Sequence, residues 1–187
     1  MFKLETKQYT IDDLDMILKE AYKNGIHTNN QKIGYYNIVF AFDIESTSFT
    51  DKPTKTDHNE KRSVMYVWQL AINGRVIIGR TWEEFTKAID HISMVLQTDR
   101  YQRIIIYVHN LAFEFQFIRK LFDWHKVFSI DKRKPIYAIT ENGIEFRCSY
   151  ILTNYSLAKL GEQLHKYKVS KLVGDLDYKK TSRTRHA

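Results

Sequence analysis

The sequence predicts an α/β fold, a mixed β-sheet flanked by helices, and three observations predict it. Asn73-Gly74 and Asn142-Gly143 each stand between two runs rich in β-branched and aromatic residues, the strongest short hairpin signal. Arg103-Ile104-Ile105-Ile106-Tyr107-Val108 is a short apolar run of the kind found in a strand buried on both faces. Apolar residues also recur at helical spacing behind Thr10 and behind Thr81, each of which has an acid three positions on, the pattern of a capping box.

A chain of 187 residues, 43% hydrophobic and 14% aromatic, is long and apolar enough for one packed domain. We expect that domain over residues 1–178, with 1–33 as a helical N-terminal extension and 179–187 as a basic, disordered tail. The 29 Lys and Arg outnumber 22 acidic residues, giving a net charge of +7 and a pI near 9.3. That balance favours a polyanionic partner such as nucleic acid. The single cysteine, Cys148, excludes a disulfide framework and a Cys-rich zinc site, which suits a reducing, cytoplasmic setting. No stretch is apolar enough to span a bilayer, so no membrane partner is expected.

In chain order, Ile11, Leu14, Ile17, Leu18 and Ala21 form the apolar stripe of a first helix that stops at Asn24-Gly25. A polar link, Ile26 to Lys32, leads to a strand over Ile38 to Thr47, and the Thr-, Lys- and Asp-rich stretch Ser48 to Arg62 reads as an exposed loop. Val64 to Ile72 and Arg75 to Gly79 make the first hairpin. Trp82, Phe85, Ala88, Ile89, Ile92 and Leu96 make a second helix, which should pack on one sheet face. The Arg103–Val108 strand follows, then a helix from Leu111 to Trp124, a hairpin of Ile136–Thr140 with Ile144–Cys148, and a last helix marked by Leu157, Leu160 and Leu164 and capped by Ser156 or Asn154.

The strand Ile38-Val39-Phe40-Ala41-Phe42-Asp43-Ile44-Glu45-Ser46-Thr47 carries two acids at its end. Side chains alternate along a strand, so Asp43 and Glu45 share a face with Val39 and Ala41, while Phe40, Phe42 and Ile44 line the other. Two adjacent carboxylates repel unless a cation or a proton comes between them, which points to hard-cation chemistry; a solvated strand end is the plainer reading. Tyr107 to Ile118 adds His109, Asn110 and a third acid, Glu114, at a strand-to-helix junction, where open α/β sheets place ligands. Taken singly, His109 reads as a histidine bonding backbone where the helix starts, and Glu114 as an acid complementing the helix N-terminal dipole.

Phe42-Asp43-Ile44-Glu45-Ser46-Thr47 resembles the first exonuclease motif, and His109-Asn110-Leu111-Ala112-Phe113-Glu114 the second, of the proofreading domain in protein-primed family B DNA polymerases of phages and linear plasmids. Leu172-Val173-Gly174-Asp175-Leu176-Asp177-Tyr178 resembles the segment before that family's last exonuclease motif, and Ser149 falls on its serine position before the Leu157-Ala158-Lys159-Leu160 helix.

The resemblance implies a ribonuclease-H-like fold of the DEDD exonuclease superfamily. It also implies hydrolysis of single-stranded DNA from its 3′ end by two Mg2+ or Mn2+ ions. It casts Asp43, Glu45 and Glu114 as catalytic metal ligands, with Glu45 also orienting the water. Ser46, Thr47, His109, Asn110, Phe113, Ser149 and Tyr178 become contacts to the 3′-terminal nucleotides. The remaining polymerase domains or a terminal protein become partners, in the cytoplasm of a host cell. Three departures accompany the match. Glu114 stands where the family has an aspartate, and Val173 where it usually has a lysine, with Lys171 two positions away. The Tyr-x-x-x-Asp motif that supplies the family's last carboxylate does not follow the Leu172–Tyr178 segment within residues 1–187. The expectation is therefore an exonuclease domain of a DNA-directed DNA polymerase, incomplete without that carboxylate. The alternative is a catalytically weak or inactive module that binds single-stranded DNA or a protein.

Overall fold

A computed structural model describes residues 9–29, 32–50 and 61–164. Thr10 opens the chain with a capping box closed by Asp13, whose carboxylate accepts from the Thr10 backbone N–H at 2.9 Å. One turn of 3-10 helix, Ile11–Asp13, runs into α1 (Leu14–Ala21), and the helix closes through Tyr22–Asn24 at Gly25. The predicted stripe is the one buried: Leu14, Ile17, Leu18 and Ala21 are all at most 3% exposed.

The link after Gly25 is not simply polar coil. Two three-residue strands, β1 (Ile26–Thr28) and β2 (Gly34–Tyr36), pair antiparallel, so the N-terminal extension is not wholly helical. Strands this short carry too little alternation to be read from sequence. β3 (Phe40–Thr50) and β4 (Lys61–Ile72) extend into the stretch expected as a loop; residues 51–60 of that stretch lie outside the described residues. β-branched Thr residues are at home on a strand, and their polarity reports exposure rather than coil. β5 (Arg75–Gly79) closes the first hairpin through Asn73 (φ 47°) and Gly74 (φ 86°), the two positive φ values of a type I′ turn.

α2 (Trp82–Leu96) starts at Thr81, whose hydroxyl accepts from the Glu84 N–H at 3.1 Å while the Glu84 carboxylate accepts from the Thr81 N–H at 3.0 Å. Its apolar side covers one sheet face, with Phe85 stacked on Phe42 at 4.5 Å between ring centroids. β6 (Gln102–Val108) follows, then α3 (Leu111–Ile118), which is shorter than the predicted helix. Trp124 instead begins β7 (Trp124–Asp131), which forms a hairpin with β8 (Lys134–Thr140). Continuing apolar residues concealed this boundary: the Trp124 ring packs on Phe115 and Phe122 as a helical residue would, yet belongs to a strand. β9 (Ile144–Cys148) completes the predicted second hairpin through Glu141, Asn142 and Gly143. A short helix, α4 (Tyr150–Thr153), and α5 (Leu157–Gln163) follow, the latter capped by the Ser156 hydroxyl.

The sheet runs in the order β5-β4-β3-β6-β9-β8-β7, with β2 also pairing parallel to β6. β3, β6 and β9 are mutually parallel; β4–β5, β7–β8 and β8–β9 are antiparallel. The result is a mixed sheet flanked by helices, as the sequence predicts. The core on the α2 face gathers Phe40, Phe42, Trp68, Phe85, Ile106, Val108 and Phe146. The chain divides into two units, one of Met1–Ser46 with Met65–Thr153 and one of Thr47–Val64 with Asn154–Ala187. In the described part of the second, Ser48 and Ser63 pair their hydroxyls at 3.2 Å and Lys159 lies over the Tyr155 ring. Of the last unit's C-terminal stretch, the tail 179–187 and the segment around Val173 lie outside the described residues.

Gly143 has φ 82°, and a Cβ there would overlap the backbone of Asp99, whereas Gly74 at φ 86° has open space around it. Gly143→Ala should therefore cost more than the ~1–2 kcal/mol of left-handed strain expected for Gly74→Ala. Urea denaturation of the two variants measures the difference.

Candidate functional site

The parallel strands set the site. Phe40, Phe42 and Ile44 of β3 are buried at 5% exposure or less, so the alternate residues Asp43 and Glu45 face away from the α2 core and are exposed, as predicted. Phe42 pairs with Val108 and Val108 with Cys148, so the next residues, Asp43, His109 and Ser149, stand side by side where β6 and β9 end; β3 itself runs on to Thr50, so Asp43 and Glu45 lie within their strand and not at its end as the sequence suggested. Open α/β sheets place ligands at this edge because the strands end there and the chain turns away.

The β6–α3 turn is made by Asn110 at φ 73°, ψ 55°, a left-handed conformation that asparagine tolerates better than most residues. Its carbonyl accepts from the Phe113 N–H at 2.9 Å, closing the first turn of α3. Leu111 and Ile118 anchor that helix in the core at 0% exposure. Phe113 on its first turn is 43% exposed, with its ring edge against Phe117.

On the same turn, Glu114 is only 4% exposed, and its Oε2 has no hydrogen-bond partner among the described residues. Burial pushes its carboxyl up to about 7; its own backbone N–H opposes the shift and the negative charge of Asp43 adds to it. Asp43 and Glu114, from β3 and α3, are thus brought within electrostatic reach of each other. A buried acid beside another acid, with an unsatisfied oxygen, is a group whose charge awaits a proton or a cation.

His109 does not bond backbone where the helix starts. Its Nδ1 lies 3.2 Å from the Ser149 hydroxyl, its ring meets Tyr150 edge-on at 5.6 Å, and its Nε2 is buried without a partner among the described residues. Ser149 is held in turn by its N–H, which donates to the Val108 carbonyl at 2.9 Å. The His109–Ser149 pairing follows from the parallel β6–β9 contact. Sequence reasoning named both residues but missed Tyr150, whose only signal is its place directly after the β9 strand end.

Of the remaining predicted residues, Ser46 follows Glu45 on β3 and is half-buried, and Thr47 belongs to the second unit. Tyr178 lies outside the described residues. The structure therefore gathers Asp43, His109 and Ser149 on adjacent strands, with Asn110, Phe113 and Glu114 following β6 into α3, and sets Asp43 against Glu114, while Glu45 shares the Asp43 face of β3. Among the described residues, no group of three or more His, Cys, Asp or Glu side chains lies close enough to hold a metal ion. No helix among them is long and apolar enough to cross a membrane. Neither a protein-family model nor a curated protein matches the chain.

Because the folded-state pKa of Glu114 is raised above its ordinary value of 4.5, the folded state holds the proton more tightly than the unfolded chain. Stability is therefore greatest below about 4.5 and declines as pH rises toward about 7. Glu114→Gln, which cannot ionise, should remove that decline and be more stable than the wild type at pH 8 by roughly 1–3 kcal/mol. Thermal unfolding of both proteins between about pH 5 and pH 8 reads it, and parallel curves would remove Glu114 from this account.

Proposed function

We propose that the chain is a ribonuclease-H-like exonuclease domain that binds the 3′ end of single-stranded DNA and hydrolyses it, as part of a protein-primed DNA-directed DNA polymerase working in a host cytoplasm. The observation that carries this reading is the buried Glu114 carboxyl, one oxygen of which has no hydrogen-bond partner among the described residues, set against Asp43 beside the C-terminal end of β6. The strand order adds support. β5, β4 and β3 lie consecutively beside the parallel strands β6 and β9 in a mixed sheet flanked by helices, which is compatible with that fold.

The donor set fits a hard divalent cation, because all-oxygen carboxylate ligands suit Mg2+ or Mn2+ and a cation would satisfy the charge that burial makes costly in Glu114. Asp43 and Glu114 would hold it, with Glu45 on the same face as Asp43. A bound cation of this kind supplies a water of lowered pKa and offsets charge on the departing oxygen. The chain's own residues do the positioning. Phe113 offers an exposed ring face for the terminal base, and Asn110 and the Ser149 hydroxyl offer hydrogen bonds to sugar or phosphate oxygens. Val173 and Tyr178, with the remaining polymerase domains or a terminal protein, belong to the same proposal.

A second reading is favoured by one observation, that no three metal-ligating side chains cluster among the described residues. On that reading the chain is a non-cleaving module that binds single-stranded DNA or a protein. A 5′-labelled single strand incubated with Mn2+ separates the two. Shortening from the 3′ end that falls on the order of a hundredfold in Asp43→Ala supports the exonuclease. Equal shortening by both proteins refutes the assigned site. Retention of the strand without shortening supports the binding module.

A further inference from the structure

The sheet face opposite α2 carries a row of side chains that the strand-edge site does not use. Register fixes the row: Phe128 of β7 pairs with Tyr137 of β8, Tyr137 with Arg147 of β9, Arg147 with Tyr107 of β6, and Tyr107 with Ala41 of β3. Directly paired residues point to the same face. Phe128 is 46% exposed, its ring is stacked on Tyr137 at 5.3 Å, and Lys126 lies over the Tyr137 ring at 5.7 Å. The Arg147 side chain is 32% exposed. Three aromatic residues, Phe128, Tyr137 and Tyr107, thus share the row with Arg147 and have Lys126 beside them, and the row ends at Ala41, two positions from Asp43 on that residue's own face of β3.

Charge indicates what the row would meet. Glu145 is 2% exposed and faces two guanidinium groups, Arg147, which donates to it from Nε at 2.9 Å, and Arg103, with a nitrogen at 3.8 Å. The Tyr35 hydroxyl also donates to Glu145, at 3.3 Å. One carboxylate against two guanidiniums leaves a positive charge over, and Arg147 is the member that reaches solvent. The network thus fixes the Arg147 guanidinium through two hydrogen bonds to Glu145, and Arg103 beside the same carboxylate leaves the group as a whole with one positive charge. The exposed β7–β8 turn adds Lys132 and Arg133, beside an Asp131–Lys134 ion pair at 3.2 Å. Exposed rings beside a net positive charge are the combination on which unpaired bases stack while phosphates are neutralised. A duplex buries its base faces and would leave these rings unused.

We infer that the row from Phe128 to Tyr107 is a binding track for single-stranded nucleic acid, running across three inter-strand steps of about 4.8 Å, roughly 14 Å, toward Asp43 on the neighbouring β3. The inference rests on the single-strand reading above and extends it: the strand edge takes the 3′ terminus and the row takes the nucleotides upstream of it. Short oligonucleotides engage only the edge, and longer ones engage both.

The test is fluorescence anisotropy with labelled oligothymidylates of four and sixteen nucleotides, in EDTA so that nothing is cleaved. The Lys126→Ala/Phe128→Ala double variant removes two exposed side chains, and its thermal midpoint is measured beside the wild type. Expected are a roughly tenfold weaker affinity for the longer strand, a salt slope shallower by about 1, and little change for the shorter one. Arg147→Lys, which keeps charge but loses the planar face, should weaken the longer strand as well. Unchanged affinity in both variants with folding intact overturns the track. So does a wild-type dimer that the double variant dissociates, because the face would then serve a second copy of the chain. The outcomes separate from those of the exonuclease reading. If Asp43→Ala leaves cleavage unchanged while the double variant weakens binding, the strand-edge site fails and the track stands. If Asp43→Ala abolishes cleavage while the double variant binds normally, only the track fails.

Discussion

The parallel pairing of β3, β6 and β9 is the constraint on which the rest depends. β6 is the shared partner, and its alternate residues Ile104, Ile106 and Val108 are fully buried, so its register against both neighbours is set by what it packs against. A one-residue slip would turn those side chains to the opposite face and carry Tyr107 into the core. With the register held, Asp43 within β3 necessarily comes level with His109 and Ser149 at the ends of β6 and β9. The aromatic row across the other face is a product of the same alignment. Strand edge and sheet face are thus two views of one set of hydrogen bonds.

Electrostatics divides the molecule in a consistent way. On the outer face a buried acid, Glu145, is over-compensated by two arginines, and the surplus charge is presented to solvent through Arg147. At the strand edge the imbalance has the opposite sign, with the buried acid Glu114 beside the acid Asp43. Burying an ionisable group is costly unless something meets its charge, and among the described residues cations meet that cost at Glu145 whereas Oε2 of Glu114 has no hydrogen-bond partner. That contrast distinguishes a structural carboxylate from a candidate functional one more clearly than residue type does.

Much of this was legible in the sequence. Capping boxes at Thr10 and Thr81, the Asn-Gly hairpins and the alternation around Asp43 each have a local cause, and each appears where the local pattern places it. What could not be read depends on long-range contact. β1 and β2 are too short for periodicity and exist because β6 offers β2 a partner. α3 ends at Ile118 although apolar residues continue, because Phe122 and Trp124 are needed against Phe146 in a turn and strand rather than in a longer helix. The same holds at the site. The acids and His109 were visible as residue types, but the tie from His109 to Ser149 and the coupling of Glu114 to Asp43 required the order in which strands sit side by side.

The connectivity of the central strand has a further, kinetic consequence. The antiparallel hairpins join residues close in sequence, but β3 meets β6 with Phe40 opposite Ile106, and β2 meets it with Gly34 opposite Gln102. The chain must close a loop of about forty residues to pair β6 with β9, Val108 opposite Cys148, and loops of more than sixty to bring β2 and β3 to β6, an entropic cost incurred before those contacts stabilise anything. The hairpins and α2 are available early, while the strand that aligns Asp43 with His109 and Ser149 is assembled last. Acquisition of the strand-edge geometry should therefore coincide with the slowest step of folding.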